Sequence, residues 1–491
     1  MYSEKLKLAR LYEEEALQKN EMIHKPIFHL APLTGWMNDP NGLSAYNGKY
    51  HLFYQYNPYD IKWDSMHWGH AQTKDFVKWE YLPAALAPDE EYDGDGVFSG
   101  SALEKDGKHI LMYTSVQETE LPDGTKAVRQ TQSIAVGDGE NYVKSAHNPV
   151  IKGNDLPPEC SRVDFRDPKI WEEDGKFYCI VGNRHEDGSG QILLFVSDDV
   201  EHWKFKSVVD RCENRYGKMW ECPDLFPVED KYVLIVSPQD MTAEGLEFHN
   251  GNGTVMLTGT FAKESGKFSR ECVRAVDYGL DFYAPQTMET PDGRRVMIAW
   301  MKSWDVPLHV EGEKWNGMMT FPRELQMRDG WVVQNPVKEL ENYRQNQVVH
   351  KDVVLTDDEE SMELPGVKGR TLDMTVDVRS GDYESFEIRL AQNDRCYSSI
   401  RYDKKHSILT FDRTYSGNCR DYISSRNLKV KDQGGKLRIR ILLDLYSAEI
   451  FVNDGEQACS SLIMTEVSAE CITFCSEGTV RFDVNKYDIV L

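Results

Sequence analysis

The chain has 491 residues, a formal net charge of -24 and 40% hydrophobic residues. That length allows one large domain plus a smaller one, with ample apolar side chains for buried cores. The acidic balance argues against nucleic acid or an anionic membrane as partner, because either would be repelled.

Residues 1–20 mix charges with Leu6, Leu11 and Leu17 at helical spacing and contain no apolar core of a signal peptide. No later run is long enough to cross a bilayer. A helical extension over 1–28 and a cytoplasmic protein are therefore expected. The ten cysteines lack Cys-x-x-Cys spacing, which predicts reduced thiols, no disulfides and no structural zinc.

From residue 29 one phrase is written five times: a motif ending in an acidic or small polar residue, a strand-like stretch, a tight turn and an apolar run. The copies are Asn38-Asp39-Pro40 before Asn47-Gly48-Lys49, Phe98-Ser99-Gly100 before Asp106-Gly107-Lys108, and Arg166-Asp167-Pro168 before Asp174-Gly175-Lys176. The last two are Glu221-Cys222-Pro223-Asp224 before Glu229-Asp230-Lys231, and Tyr283-Ala284-Pro285-Gln286 before Asp292-Gly293-Arg294. Aligned on the basic turn residue, the copies stand 59, 68, 55 and 63 residues apart, the period of repeated four-stranded sheets. Asn-Gly and Asp-Gly supply the positive φ angles that tight hairpins need. The expected fold is all-β, with a five-bladed β-propeller over 29–335.

The strand before each turn is read as the innermost of its blade. Asp39, Ser99, Asp167, Glu221 and Ala284 then take equivalent places around one axis, so three carboxylates converge from three blades. Two phrases, Asp75-Phe76-Val77-Lys78-Trp79 and Asp199-Val200-Glu201-His202-Trp203, read as outer strands whose tryptophans pack between blades. Residues 336–350 read as a linker helix with Leu340 and Tyr343 on one face. Over 351–491 alternating strands at 371–378, 386–390, 398–402, 437–443, 449–452 and 480–484, with a hairpin at Asn453-Asp454-Gly455, predict a C-terminal β-sandwich.

Alone, Asn38-Asp39-Pro40-Asn41-Gly42 would be a turn cluster. Its equivalence with Asp167 and Glu221 changes that reading, because three acids facing one axis repel strongly unless function holds them there. Glycoside hydrolysis needs such a set: one ionised carboxylate to attack or stabilise an oxocarbenium-like carbon, one protonated carboxyl for the leaving oxygen. Glu221, next to Cys222 and Pro223, is assigned the less polar surround that favours the acid. Asp39, flanked by Asn38 and Asn41 as donors, is expected to stay charged.

The five motifs, with Trp36-Met37 before the first and Trp220 before the fourth, resemble those of glycoside hydrolase family 32, and the resemblance spans nearly the whole chain. It implies a retaining enzyme acting on β-D-fructofuranosides, sucrose or sucrose 6-phosphate first, with Asp39 as nucleophile, Glu221 as general acid and base, and Asp167 as stabiliser. Arg166 would hold the acid's neighbourhood by charge. The implied sugar-binding shell is Trp36, Asn38, Gln55, Trp63, Phe98, Ser99 and Arg166, with Trp304 a weaker member. A retaining pair predicts carboxyl groups about 5 to 5.5 Å apart.

Bland readings stand beside these. Gln55 is either a sugar ligand or a satisfied strand amide, and the ligand is favoured because a lone buried amide is costly. Trp63 and Trp304 are either stacking platforms or rim packing. His67 and His70 lack a completing ligand set, and Asp93-Gly94-Asp95-Gly96 lacks the closing glutamate of a calcium loop, so neither a metal nor another cofactor is expected. Arg184, His185 and Lys302 are the basic residues available for a phosphate. Rival functions are a fructan or fructo-oligosaccharide hydrolase, a fructosyltransferase, an inverting arabinan or xylan hydrolase, and a non-catalytic sugar-binding propeller. The expected partner is a small sugar; homo-oligomerisation is left open.

Overall fold

The computed structural model describes residues 3–19, 24–358, 360–431 and 433–491. The expected N-terminal helix runs Glu4–Gln18, capped by Ser3, whose side chain accepts from Leu6 N; residues 1, 2 and 20–23 of the expected extension lie outside the described residues. The helix packs on strand Trp79–Leu86. Glu13 accepts from Ala84 N at 2.9 Å and Arg10 Nε donates to Ala84 O at 3.0 Å, so the helix binds an outer strand through that strand's own backbone. No described helix is long and apolar enough to cross a membrane.

Five sheets follow. Blade I comprises Gly35–Tyr46, Lys49–Asn57, His67–Thr73 and Trp79–Leu86; blade II comprises Gly96–Lys105, Lys108–Glu120, Lys126–Gly137 and Tyr142–Lys144. Blade III comprises Cys160–Glu173, Lys176–His185, Gly190–Ser197 and Trp203–Arg211; blade IV comprises Met219–Val228, Lys231–Gln239, Val255–Ala262 and Lys267–Ala275. Blade V comprises Tyr283–Glu289, Arg295–Trp300, Arg323–Arg328 and Trp331–Pro336. The first strands of successive blades touch one another, and that of blade V returns to that of blade I, closing a ring. A short strand, Trp315–Asn316, pairs in parallel with Gly35 and Trp36 and fastens the closure.

The turn chemistry explains the hairpins. Asn47-Gly48, Asp106-Gly107 and Asp174-Gly175 all have φ between +49° and +73° at both positions, as two-residue turns matching the twist of the strands require. Blade IV departs from this, with Glu229 alone at φ +52°.

Each innermost strand is irregular at its motif. Register shifts fall between Met37 and Pro40, Phe98 and Gly100, Arg166 and Lys169, Glu221 and Asp224, and Tyr283 and Gln286. A bulge re-aims side chains that would otherwise alternate up and down a regular strand. Neighbouring blades are stitched at one repeated place, six residues past the basic turn residue. Gln55 Nε2 donates to Val97 O at 2.9 Å, Thr114 Oγ1 accepts from Asp167 N at 2.9 Å, and Ser237 Oγ accepts from Ala284 N at 3.1 Å. In blade III the same place is Gly182, where a Cβ would stand 2.2 Å from Trp220 O, so only glycine lets blade IV approach.

Beyond blade V the connector is a six-residue 3-10 helix, Lys338–Tyr343, with Leu340 buried, and strand begins at Arg344. The C-terminal domain winds two long strands, Leu372–Gln392 and Cys471–Ile489, through one hydrogen-bonded network. The first half of Leu372–Gln392 pairs with Leu437–Asp444 and its second half with Ser398–Asp403, giving two layers around one apolar core. Two separate strands, 371–378 and 386–390, are expected here from the sequence, and one continuous strand is found. It bends between those ranges without breaking, with register shifts on both sides and Gly381 where a Cβ would stand 2.2 Å from Thr479 O.

The two domains meet in a buried charge network. Asp444 accepts from Ile27 N and Phe28 N and faces His29 Nδ1 at 2.9 Å; Glu449 faces His29 Nε2 at 2.8 Å and also engages Arg323. Arg323 continues to Asp277 at 2.9 Å. All these side chains are fully buried, and burial of so many charges is tolerable only because each meets an opposite one.

Candidate active site

The bulged motifs deliver their side chains into one cleft of about 420 Å³ at the axis. Asn38, Asp39, Gln55, Trp63, Phe98, Ser99, Arg166, Asp167, Glu221 and Trp304 all line it. Among the residues expected in the catalytic set and the sugar-binding shell, Trp36 is the exception. It is 7% exposed and lies behind the wall, where its Nε1 donates to Asn38 Oδ1 at 2.8 Å.

Asp39 Oδ2 accepts from Ser99 Oγ at 2.7 Å, while Oδ1 is buried without a protein partner. Burial pushes this carboxyl up to about 6; Ser99 pulls it down and the charge of Glu221 raises it further. Asn41, expected as a donor to Asp39, serves elsewhere: its Oδ1 accepts from Gly100 N at 3.1 Å.

Asp167 adopts φ +67°, an uncommon conformation for a side chain with a Cβ, and Cys222 beside Glu221 adopts φ +46°. These twists bring Cys222 N to donate to Asp167 Oδ2 at 2.9 Å and set the Cys222 thiol 3.5 Å from Asp167 and 3.7 Å from Asp39. Asp167 is pushed up to about 7 by burial and then by Glu221, against the pull of Arg166. The thiol is held well above its ordinary range by burial and by the surrounding acids, so it stays protonated.

Glu221 does not have the less polar surround expected of it. Its Oε1 accepts from Arg166 Nε at 2.8 Å and its Oε2 from the Tyr283 hydroxyl at 2.6 Å. Arg166 also reaches Asp164 at 3.1 Å and Gln130 at 3.3 Å through Nη1, a forked use that a lysine could not reproduce. Gln55 gives its amide nitrogen to Val97 O, leaving the carbonyl end as what it can offer a ligand. Trp63 and Trp304 are 47% and 39% exposed at the cleft, Trp63 edge-on to Phe98 and Trp304 against Trp36 and Trp300.

None of the three basic residues considered for a phosphate lines the cleft. Arg184 pairs with Asp164 at 2.6 Å, His185 with Asp187 at 3.0 Å, and Lys302 is buried against Trp36. Gln130, Gln239 and Asn252, by contrast, line the cleft and were not singled out. Gln239 had a signal, since it closes the second strand of blade IV two residues beyond Ser237, the counterpart of Gln55. Asn252 sits in a loop and Gln130 in a third strand, where the repeat leaves no register. Tyr283 enters the sequence pattern only as part of a motif, and nothing in its spacing indicates a hydroxyl on Glu221.

A buried carboxyl held by a serine hydroxyl, a second clasped by a guanidinium and a phenol, and a third held by a backbone amide, in one cleft walled by amides and indoles, are the groups of a glycosidase site. Comparison with known proteins narrows this class. Residues 29–336 match the glycosyl hydrolases family 32 N-terminal domain, and residues 339–489 match the family 32 C-terminal domain. The chain is 36% identical over 473 residues to the raffinose invertase of Escherichia coli, covering 95% of each chain. It is 36% identical over 450 residues to a sucrose-6-phosphate hydrolase of Escherichia coli, covering 89% of each. The solved Bombyx mori GH32 beta-fructofuranosidase BmSUC1 superposes with a TM-score of 0.85 at 31% identity, covering 98% of both chains. The chain therefore belongs to glycosyl hydrolase family 32.

Proposed function

We propose that this chain is a β-fructofuranosidase that removes terminal β-D-fructofuranosyl units with retention, through a covalent fructosyl-enzyme. Glu221 protonates the glycosidic oxygen while Asp39 attacks the anomeric carbon; water then attacks the adduct with Glu221 as base. Asp167 binds fructose hydroxyls and steadies the charge that develops on the ring. The observation that carries this reading is the convergence of Asp39, Asp167 and Glu221 from three blades into one cleft, each with a different hydrogen-bonding environment.

The names of the relatives, raffinose invertase, sucrose-6-phosphate hydrolase and beta-fructofuranosidase, support the fructoside as substrate. For the leaving sugar, glucose is favoured over glucose 6-phosphate, and so sucrose over sucrose 6-phosphate as substrate. The only cation lining the cleft among the described residues, Arg166, is engaged by Glu221 and Asp164. A cytoplasmic location, with an imported sugar as substrate, completes the reading.

Comparing kcat/KM on sucrose, sucrose 6-phosphate and kestose tests it. Release of fructose with sucrose the best of the three is the expected result. Sugar binding without any fructose release would return the chain to the non-catalytic alternative.

A further inference from the structure

Lys302 is the basic residue that the substrate reading leaves without a task, and its surroundings give it one. It is 2% exposed, and its ammonium meets an amide oxygen and an indole ring rather than a carboxylate. Its ammonium faces the Trp36 ring at 4.6 Å and donates to Asn316 Oδ1. A buried ammonium without a carboxylate in contact is costly, and such a group beside a cleft is a candidate for function.

Its neighbours all lead to the cleft wall. Trp36 Nε1 donates to Asn38 Oδ1, so the indole fixes which end of the Asn38 amide points away from it. Asn316, opposite Trp36 in the closure strand, donates from Nδ2 to Ile61 O at 2.9 Å in the loop that carries Trp63. Trp304, two residues beyond Lys302, lies 6.0 Å from Trp36 and 4.8 Å from Trp300. One ammonium thus stands where the support of Asn38, the Trp63 loop and the Trp304 segment meet.

We infer that Lys302 is a positioning residue for the substrate cleft, holding Trp36 beneath Asn38 and, through Asn316, fixing the loop of Trp63 relative to Trp304. It touches no reacting atom. This rests on the fructosidase reading, because the cleft it shapes is the one assigned to the fructoside.

The groups facing Lys302 are Trp36 from blade I and Asn316 from the closure strand. The charged group acting on it is Asp281, which Arg413 and Leu462 N already engage. Burial lowers the ammonium to about 7, with Asp281 opposing. As pH rises past that value the charge over the Trp36 face is lost, and with it the attraction between cation and ring.

The test is KM for sucrose against pH in the wild-type protein, Lys302→Met and Lys302→Arg, with the Kd for sucrose of Asp39→Ala as a binding readout free of turnover. The expected wild-type KM rises several-fold above about pH 7, and Lys302→Arg, which keeps its charge, removes that rise. Lys302→Met should hold KM at one value through the whole pH range, about ten-fold above that of the wild-type protein below pH 7, and leave kcat within about two-fold. Its melting temperature should be unchanged or higher, since an apolar side chain replaces a buried charge. A Lys302→Met protein with wild-type KM and wild-type pH dependence, or a wild-type KM and an Asp39→Ala Kd that both stay flat through pH 7 to 9, would overturn the assignment. A wild-type protein that binds sucrose but releases no fructose would instead sink the fructosidase reading, and the Kd of Asp39→Ala would still decide the role of Lys302.

Discussion

Arg166 of blade III donates through Nε to Glu221 of blade IV at 2.8 Å, while its Nη1 is taken by Asp164 and Gln130. The guanidinium therefore works as a three-way bracket between blades. Arg166→Lys should lower kcat/KM on sucrose by about 10² to 10³-fold, with little rescue over Arg166→Ala, because an ammonium cannot span the three partners. Steady-state kinetics with circular dichroism as a folding control checks this; a lysine variant with near-normal rate would refute the bracket.

Ser99 donates to Asp39 at 2.7 Å and opposes the burial that raises this carboxyl to about 6. If Asp39 must be ionised to attack, kcat/KM should fall as pH drops below about 6. Ser99→Ala removes a donor to the charged form, so the acid limb should move to higher pH. The limbs belong to the coupled carboxyl groups jointly, so the observable is the displacement of the profile. An acid limb that Ser99→Ala leaves in place would count against Asp39 as the group read there.

His51, His70 and His109 form a buried cluster between blades I and II, with His51 Nδ1 3.0 Å from His70 Nε2 and His109 held by Ser44 and Tyr142. Burial lowers His51 to about 4, His109 to about 3 and His70 well below its ordinary value. The folded protein keeps them neutral while the unfolded chain protonates them below about 6.5, so stability is lost as pH falls from there. The loss should approach about 2 kcal/mol per histidine near pH 5. Melting temperatures across pH 5 to 7.5 test this, and a flat profile would contradict it.

His29 behaves in the opposite sense. Asp444 and Glu449 on its two nitrogens raise it to about 9 in spite of burial. Its contribution is complete below about pH 6.5, the unfolded value, and disappears as pH rises through about 9. Glu449→Gln should cost about 3 to 5 kcal/mol, because it leaves His29 and Arg323 short of a buried counter-charge. Urea unfolding at pH 7 and at pH 9.5 should show the wild-type protein weakened at the higher pH, with a smaller further loss in the variant.

The propeller was legible because each turn carries its own chemistry: Asn47-Gly48, Asp106-Gly107 and Asp174-Gly175 mark the hairpins that fix the repeat. The three acids were legible for the same reason, being counted from those turns. What lay outside that register was hidden. Gln130 and Asn252 sit in elements whose length differs between blades, and the Tyr283 hydroxyl depends on a bulge that no spacing reveals. Arg323 and Glu449 carry no mark of their burial in the sequence, since it comes only with the docking of the second domain. The long strand Leu372–Gln392 reads as two, 371–378 and 386–390, because a glycine and charged residues lie between two apolar alternations, and glycine marks turns and bends alike.

Retention through Asp39 requires a covalent bond between its carboxylate and the anomeric carbon of fructose. Glu221→Gln incubated with β-D-fructosyl fluoride, whose leaving group needs no acid, should form the adduct and stall for want of a base. Peptide mass spectrometry after rapid acid quench is predicted to find one fructosyl unit on the peptide containing Asp39. An adduct on Asp167, or fluoride release with no adduct and an inverted product, would contradict the account.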